Sequence, residues 1–379
     1  MNFKRNRLAI VEAYGDGYLN DEEFVLLYDL NRSTNLDLPY WEYDPFDLDQ
    51  MNDDECRSEF RFLKNDFYSL YHHMNFPQEI RCTTGFKGVN IENSKDGAVT
   101  YFQKSILLLS AGIVGLCVLL KRFAYPCRYM DTIPRFALSV PQLCMVANTA
   151  MNFVYNTWGY LLRTFNQAWL SPRNLQHYAN VIHNKGAPLH TCWGFVDGTV
   201  RRICRPGTNQ RVMYNGHKKV HAIKFQSVVA PNGMVANLYG PIEGKRHDAT
   251  MLARSNLLGQ LVQHSRATDG TTLCIYGDPA YPLRRQLMAP FKGNRVNNQQ
   301  KLWNQQMSSV RVAVEWVFGD IINYYKFIDF HKQLKIKLSP VGKMYIVCAL
   351  LQNARSCFYG SMTSEFFDCQ PPSIGSYFQ

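Results

Sequence analysis

The chain has 379 residues, 46% of them apolar and 13% aromatic, which is ample for packed cores and excludes a disordered chain. That length suits two or three domains. Its formal net charge of +11 is unevenly spread: residues 1–59 carry 15 acids against 5 bases, a net of −10, and the remainder 36 bases against 15 acids, a net of +21. A body this basic suits a polyanionic partner. The acidic segment shields that surface, docks a partner or is a solvated tail. Eleven cysteines, an odd count without a Cys-x-x-Cys pair, point to reduced thiols in an intracellular setting and away from a zinc module. The opening Met-Asn-Phe-Lys-Arg-Asn-Arg is not followed by an apolar core, so no secretory signal is expected.

In chain order, residues 1–60 read as a loosely structured acidic region with one short helix at Asn20–Leu30. From Glu59 to about Lys95 the pattern is mixed and specifies no element. Residues 102–186 read as helical. The first helix is expected over Ser105–Phe123, ended near Tyr125-Pro126 because proline cannot continue it. Its segment Ser105–Leu120 is sixteen residues without a charge and contains two glycines. It falls short of the roughly 18–20 residues needed to span a bilayer, so a buried core helix is expected and no membrane association. Ser139 opens a second helix, with Pro141 in its first turn and Gln142 completing a capping box. Leu143, Val146, Ala147, Ala150, Val154 and Trp158 follow at helical spacing. Ser171 caps a third helix reaching Ile182. Short helices joined by tight turns are compatible with a helix-turn-helix unit, although most small helical bundles do not touch DNA.

The rhythm changes at Cys192. Trp193–Val196 reads as a strand ending on Asp197-Gly198-Thr199, followed by a basic loop with Arg201, Arg202, Arg205, Arg211, Lys218 and Lys219. Val220–Ala230 and Met234–Tyr239 form two strands around a Pro231-Asn232-Gly233 turn. Asp248 opens an amphipathic helix through His264. Thr272–Tyr276 is a further strand, ending at Gly277-Asp278-Pro279. A helix over about Ser308–Tyr325 carries Glu315 in its middle, and a last helix, Val341–Tyr359, stops at Gly360. This order predicts a mixed α/β unit around one sheet. The expected boundaries are an acidic region at 1–60, a helical domain at 61–190, an α/β domain at 191–360 and a tail at 361–379.

Three acids stand in apolar surroundings: Asp197 and Asp278 at strand ends, and Glu315 within a helix. An unpaired buried charge costs several kcal/mol at least, so each needs a partner. If the two strands are adjacent and parallel, both aspartates reach one sheet edge, where ligand sites of α/β sheets form. Three hard oxygen donors there suit Mg²⁺ or Mn²⁺ and phosphodiester chemistry, with the basic loop holding the nucleic-acid backbone. The plainer alternatives are turn-forming or helix-capping aspartates and a Glu315–Arg311 pair on one helix.

Five ordered blocks carry a resemblance: Cys-Trp-Gly-Phe-Val-Asp-Gly-Thr, Tyr-Asn-Gly-His-Lys-Lys-Val-His-Ala-Ile-Lys-Phe-Gln, Gly-Pro-Ile-Glu-Gly-Lys-Arg-His-Asp, Ile-Tyr-Gly-Asp-Pro-Ala-Tyr-Pro and Val-Glu-Trp-Val-Phe-Gly. From about Leu120 to Tyr359 the chain resembles the DDE endonuclease domain of Harbinger-type transposases and their domesticated relatives. The resemblance implies an RNase H-like core preceded by a helix-turn-helix region. It also implies divalent-metal-dependent DNA cleavage and joining in the nucleus, usually with a separate Myb-like partner, and is compatible with oligomers. By position, Asp197, Asp278 and Glu315 match the family's acidic triad. Asp248 matches a further acid grouped with the metal ligands, and N-capping of the following helix is its equal alternative. His217 and His247 are weaker candidates. A DNA-binding or adaptor protein that kept the fold without turnover is the rival expectation. Phe136-Ala137-Leu138-Ser139 departs from a Phe-Gly-containing turn common at that place in the family.

Overall fold

The computed structural model describes residues 3–30, 38–89, 101–293 and 295–379. At the start, α1 (Phe3–Gly15) and α2 (Asp21–Leu30) pair with each other. Asn20 caps α2 by accepting the Glu23 N–H at 2.9 Å, so the expected short helix is present. Then come α3 (Asp53–Phe60), α4 (Lys64–His73) and an antiparallel pair, β1 (Glu79–Val89) with β2 (Tyr101–Ala111). Leu48, Met51, Cys56 and Phe60 are buried in the main apolar core, so the later part of the acidic segment packs with the body. Glu59 meets Arg135 at 2.8 Å and Lys121 at 3.4 Å. Residues 90–95, the end of the stretch without an assignable pattern, lie outside the described residues.

The expected helix over Ser105–Phe123 is corrected. Its first seven residues belong to β2, and α5 runs over Gly112–Ala124. An apolar run fits a strand or a buried helix equally, and pairing with residues 79–89 decides here for the strand. No helix among the described residues is long and apolar enough to cross a membrane. Beyond a short α6 (Ile133–Phe136), α7 (Val140–Trp158) starts where expected, with the Gln142 side chain accepting the Ser139 N–H at 2.9 Å. Ser171 caps α8 (Pro172–Asn184) through the Asn174 N–H.

The sheet is built from β3 (Cys192–Arg202), β4 (Tyr214–Asn215), β5 (Val220–Val229), β6 (Val235–Glu243), β7 (Cys274–Tyr276) and β8 (Leu287–Met288). The path is β4-β5-β3-β7-β8, with β6 also on β5. β3, β5 and β6 are antiparallel, whereas β7 runs parallel to β3 and β8 parallel to β7. The unit is therefore mixed α/β. The Pro231-Asn232-Gly233 turn joins β5 to β6 as its residues dictate, with Gly233 at φ 77°.

A short α9 (Gln210–Met213) precedes β4. The helix expected from Asp248 to His264 is two: α10 (Asp248–Arg254) and α11 (Leu257–His264), separated by Asn256 in the left-handed region at φ 52°. The helix expected over Ser308–Tyr325 also divides, into α12 (Asn298–Arg311) and α13 (Ala313–Tyr324), with Val312 at the joint. Glu315 thus lies in the first turn of α13, not mid-helix. The last long helix, α14 (Val341–Tyr359), ends at Gly360 as expected, and α15 (Met362–Phe367) and α16 (Ile374–Tyr377) follow. Phe367, Cys369, Ile374 and Tyr377 bury in the core, so the C-terminal residues pack with the body.

Asn353 of α14 ties this helix to the sheet. Wholly buried, its amide accepts the Val235 N–H at 2.8 Å and donates to the Val235 carbonyl at 2.9 Å and to Tyr377 Oη at 3.0 Å. An Asn353→Ala protein leaves two strand groups unpaired in the core. It should lose about 3 kcal/mol of stability, read as a lower urea midpoint at unchanged slope.

Candidate active site

The register of the parallel pair sets the site. Phe195 of β3 stands opposite Tyr276 of β7, so Asp197, two residues further along β3, and Asp278, in the turn two residues beyond the end of β7, come to the same edge of the sheet. β3 does not stop at Asp197; it continues to Arg202 because β5 pairs along its other edge. β7 does end before Asp278, whose carboxylate accepts the Ala280 N–H at 2.9 Å in a turn. Asp278 is both a turn former and a neighbour of Asp197.

Asp197, Asp248 and Asp278 line one cavity of about 880 Å³, facing His217, Lys218, Lys224, Lys245, Arg246 and His247. Asp248 comes close because β3 has no side chain beside it. A Cβ on Gly198 would meet Asp248 Oδ1 at 2.9 Å. The cap of α10 is His247, not Asp248. Asp248 instead receives Lys224 Nζ at 2.5 Å, and the same ammonium donates to the Arg246 carbonyl at 2.9 Å. Lys224 is 6% exposed in the middle of β5. The sequence signal for its role was a charge within an apolar strand, Ala-Ile-Lys-Phe, which demands a partner.

Glu315 lies outside the lining of this cavity but on its Asp197 side. Arg311 joins the two: Nη1 is 3.4 Å from Asp197 Oδ2, and Nη2 is 3.9 Å from Glu315 Oε1. The Nη1 contact pairs the charges without hydrogen-bond alignment. Arg311 and Glu315 do pair on their helical segment, and the same guanidinium reaches the strand aspartate as well.

The charges of these acids overlap. Burial pushes the Asp197 carboxyl above its ordinary range; Arg311 and the Gly198 N–H oppose this, and the nearby Asp278 and Glu315 push it further up. Tyr281, 1% exposed, has a hydroxyl without a hydrogen-bond partner among the described residues. Burial raises its pKa well above the usual value, and the negative charges of Asp248, Asp197 and Asp278 add to the rise. All four acids therefore belong to one electrostatic neighbourhood. Among the described residues, however, no three His, Cys, Asp or Glu side chains converge closely enough to hold an ion as they stand. The carboxylate oxygens are hard donors of the kind a divalent cation takes, and in this arrangement Lys224 and Arg311 supply countercharge to Asp248 and Asp197.

Of the six basic residues expected to hold nucleic acid, Lys218 lines the cavity and Lys219 follows it, exposed. Arg202, Arg205 and Arg211 are exposed nearby in sequence, with Arg205 Nε donating to Gln210 Oε1 at 3.0 Å. Arg201 is turned inward, 5.0 Å over the Tyr345 ring, with Nη2 donating to Thr199 Oγ1 at 2.5 Å. Sequence reasoning missed Lys224, Lys245 and Arg246 as cavity cations and saw Arg311 only as a helix partner.

Residues 196–353 match the family model described as DDE superfamily endonuclease, which spans β3 through most of α14. No curated protein and no solved structure matches the chain.

Lys224 is buried and Asp248, its partner, is half-buried at the cavity wall. Lys224→Met leaves the carboxylate without its cation and should cost about 3 kcal/mol. Lys224→Met with Asp248→Asn should recover much of that loss. A double-mutant cycle from denaturant unfolding measures the coupling, and additive losses would contradict the pairing.

Proposed function

We propose that this chain is a divalent-metal-dependent DNA endonuclease of the Harbinger transposase type, cleaving and joining phosphodiester bonds, or a domesticated derivative of one. The observation that carries it is the placement of Asp197, on β3, and Asp278, just past the end of the parallel β7, on one cavity, with Glu315 linked to Asp197 through Arg311, within a segment similar to DDE endonucleases. The three-strand meander continued by two parallel strands supports the RNase H-like core. Asp197, Asp278 and Glu315 would hold the cation, with Asp248 as a further ligand. When bound, Mg²⁺ or Mn²⁺ supplies activation of water and stabilisation of the leaving oxygen. Lys218, Lys245 and Arg246 bind the DNA backbone beside the acids, and Lys224 fixes Asp248 in place. Arg202, Arg205, Arg211 and Lys219 extend that basic surface; Arg201 serves packing instead. On this reading the chain works in the nucleus, with the helices α5, α7 and α8 that precede the sheet and a Myb-like partner contributing to DNA recognition.

A second reading, a DNA-binding adaptor that kept the fold without turnover, draws on the same site. Arg311 and Lys224 already neutralise the acids, as they would in a protein with no cation to bind. Nicking of a supercoiled plasmid and of transposon-end duplexes in Mg²⁺ or Mn²⁺ separates the two. The wild-type protein should nick, and Asp197→Asn should lose at least about 100-fold in rate with an unchanged far-ultraviolet spectrum and melting temperature. Equal nicking by both removes the acids from the mechanism. DNA binding without nicking by the wild type establishes the adaptor.

A further inference from the structure

A second charged cavity, of about 470 Å³, lies where the C-terminal end of α13 meets α3 and α14. Its lining holds three arginines, Arg57, Arg61 and Arg355, against one carboxylate, Asp54. Its Tyr324 wall lies nine positions after Glu315 on α13, roughly 13 Å along the helix.

Arg355 is the anomaly. It is only 7% exposed, its guanidinium stacks 3.5 Å over the Tyr324 ring, and Tyr359 lies 4.9 Å away. Its Nε is buried without a partner, and no hydrogen bond or ion pair reaches the group among the described residues. Stacking on a ring offsets part of the cost of burying a cation, but leaves the buried Nε–H without an acceptor and the two terminal NH₂ groups without a protein partner among the described residues. Asp320, one turn earlier on α13, feels the charge of Arg355 but forms no ion pair with it.

Arg61 is held differently. Its Nε donates to the Tyr324 carbonyl at 3.0 Å, Nη1 to the Ser58 carbonyl at 2.5 Å and Tyr125 Oη at 3.4 Å, and Nη2 to the Ala124 carbonyl at 3.3 Å. Every acceptor is neutral, so the fork is fixed in place with its charge uncompensated. Arg57, one turn before Arg61, is exposed and has no ion pair among the described residues. A buried cation, a fixed cation and an exposed outer cation around one opening suit a tetrahedral oxyanion, because guanidinium groups meet such oxygens with charge-assisted hydrogen bonds.

We propose that this cavity is a phosphate-binding site, with Arg355 at its base, Arg61 on its wall and Arg57 closing over the bound group. The site does not depend on the nuclease reading. Free inorganic phosphate and a backbone phosphate of bound DNA present the same chemistry.

The test uses the full chain and inorganic phosphate at constant ionic strength, with chloride as the control. The wild-type melting temperature should rise saturably with phosphate but not with chloride. Arg57→Gln, a surface change that leaves the fold intact, should weaken the apparent phosphate affinity about tenfold. Arg355→Met, which keeps the stack on Tyr324, should abolish the response. An unresponsive wild type overturns the site, as does an identical phosphate response in wild type and Arg57→Gln. A short DNA duplex then separates the sources. Loss of about one unit from the salt slope of DNA binding in Arg57→Gln identifies a backbone phosphate as the occupant. Unchanged DNA binding with a weakened phosphate response identifies free phosphate.

Discussion

Like charges drawn together in a partly dry place must find opposite charge, and that requirement organises the centre of this molecule. The register of β3 against β7 brings Asp197 and the turn that holds Asp278 to one sheet edge, and the absence of a side chain at Gly198 admits Asp248 alongside. Two cations answer from elements far apart in sequence: Lys224 from the interior of β5 and Arg311 from the end of α12. Each lies on an element whose position is set by apolar packing. The charge balance is therefore as much a property of the fold as of the side chains.

Much of this was legible in the sequence because local signals and tertiary demands agreed. The Pro231-Asn232-Gly233 turn, the Ser139 and Ser171 caps and the Gly360 stop each encode an element boundary in a few neighbouring residues, and the structure has each of them. Asp197 and Asp278 stood out because a carboxylate following an apolar run is costly unless something receives it. The illegible parts were those decided at a distance. Ser105–Ala111 carries no charge and no alternation, so only pairing with residues 79–89 could make it a strand. The joint at Val312 interrupts a stretch whose residues all favour helix or tolerate it. Arg201 looks like any surface arginine in a basic loop until Tyr345 is found beneath it.

The two arginine-rich places use the same residue in opposite ways. Around Asp197 a guanidinium is shared between carboxylates and its charge is consumed. At the far end of α13, guanidinium groups are fixed by rings and neutral carbonyls, which orient them without cancelling them. One helix thus carries an excess of negative charge at its first turn and borders an excess of positive charge at its last. That polarity complements the helix's own dipole at both ends, since the acid Glu315 sits at the positive N-terminus and the cations at the negative C-terminus.

Gly198 has a consequence of its own. Because the backbone there touches the carboxylate of another element, even one methyl group at this point would act as a wedge, prising Asp248 away from its neighbours while altering no charge in the molecule. Spacing among the acids is thereby written into a cavity-lining residue that has no functional group at all.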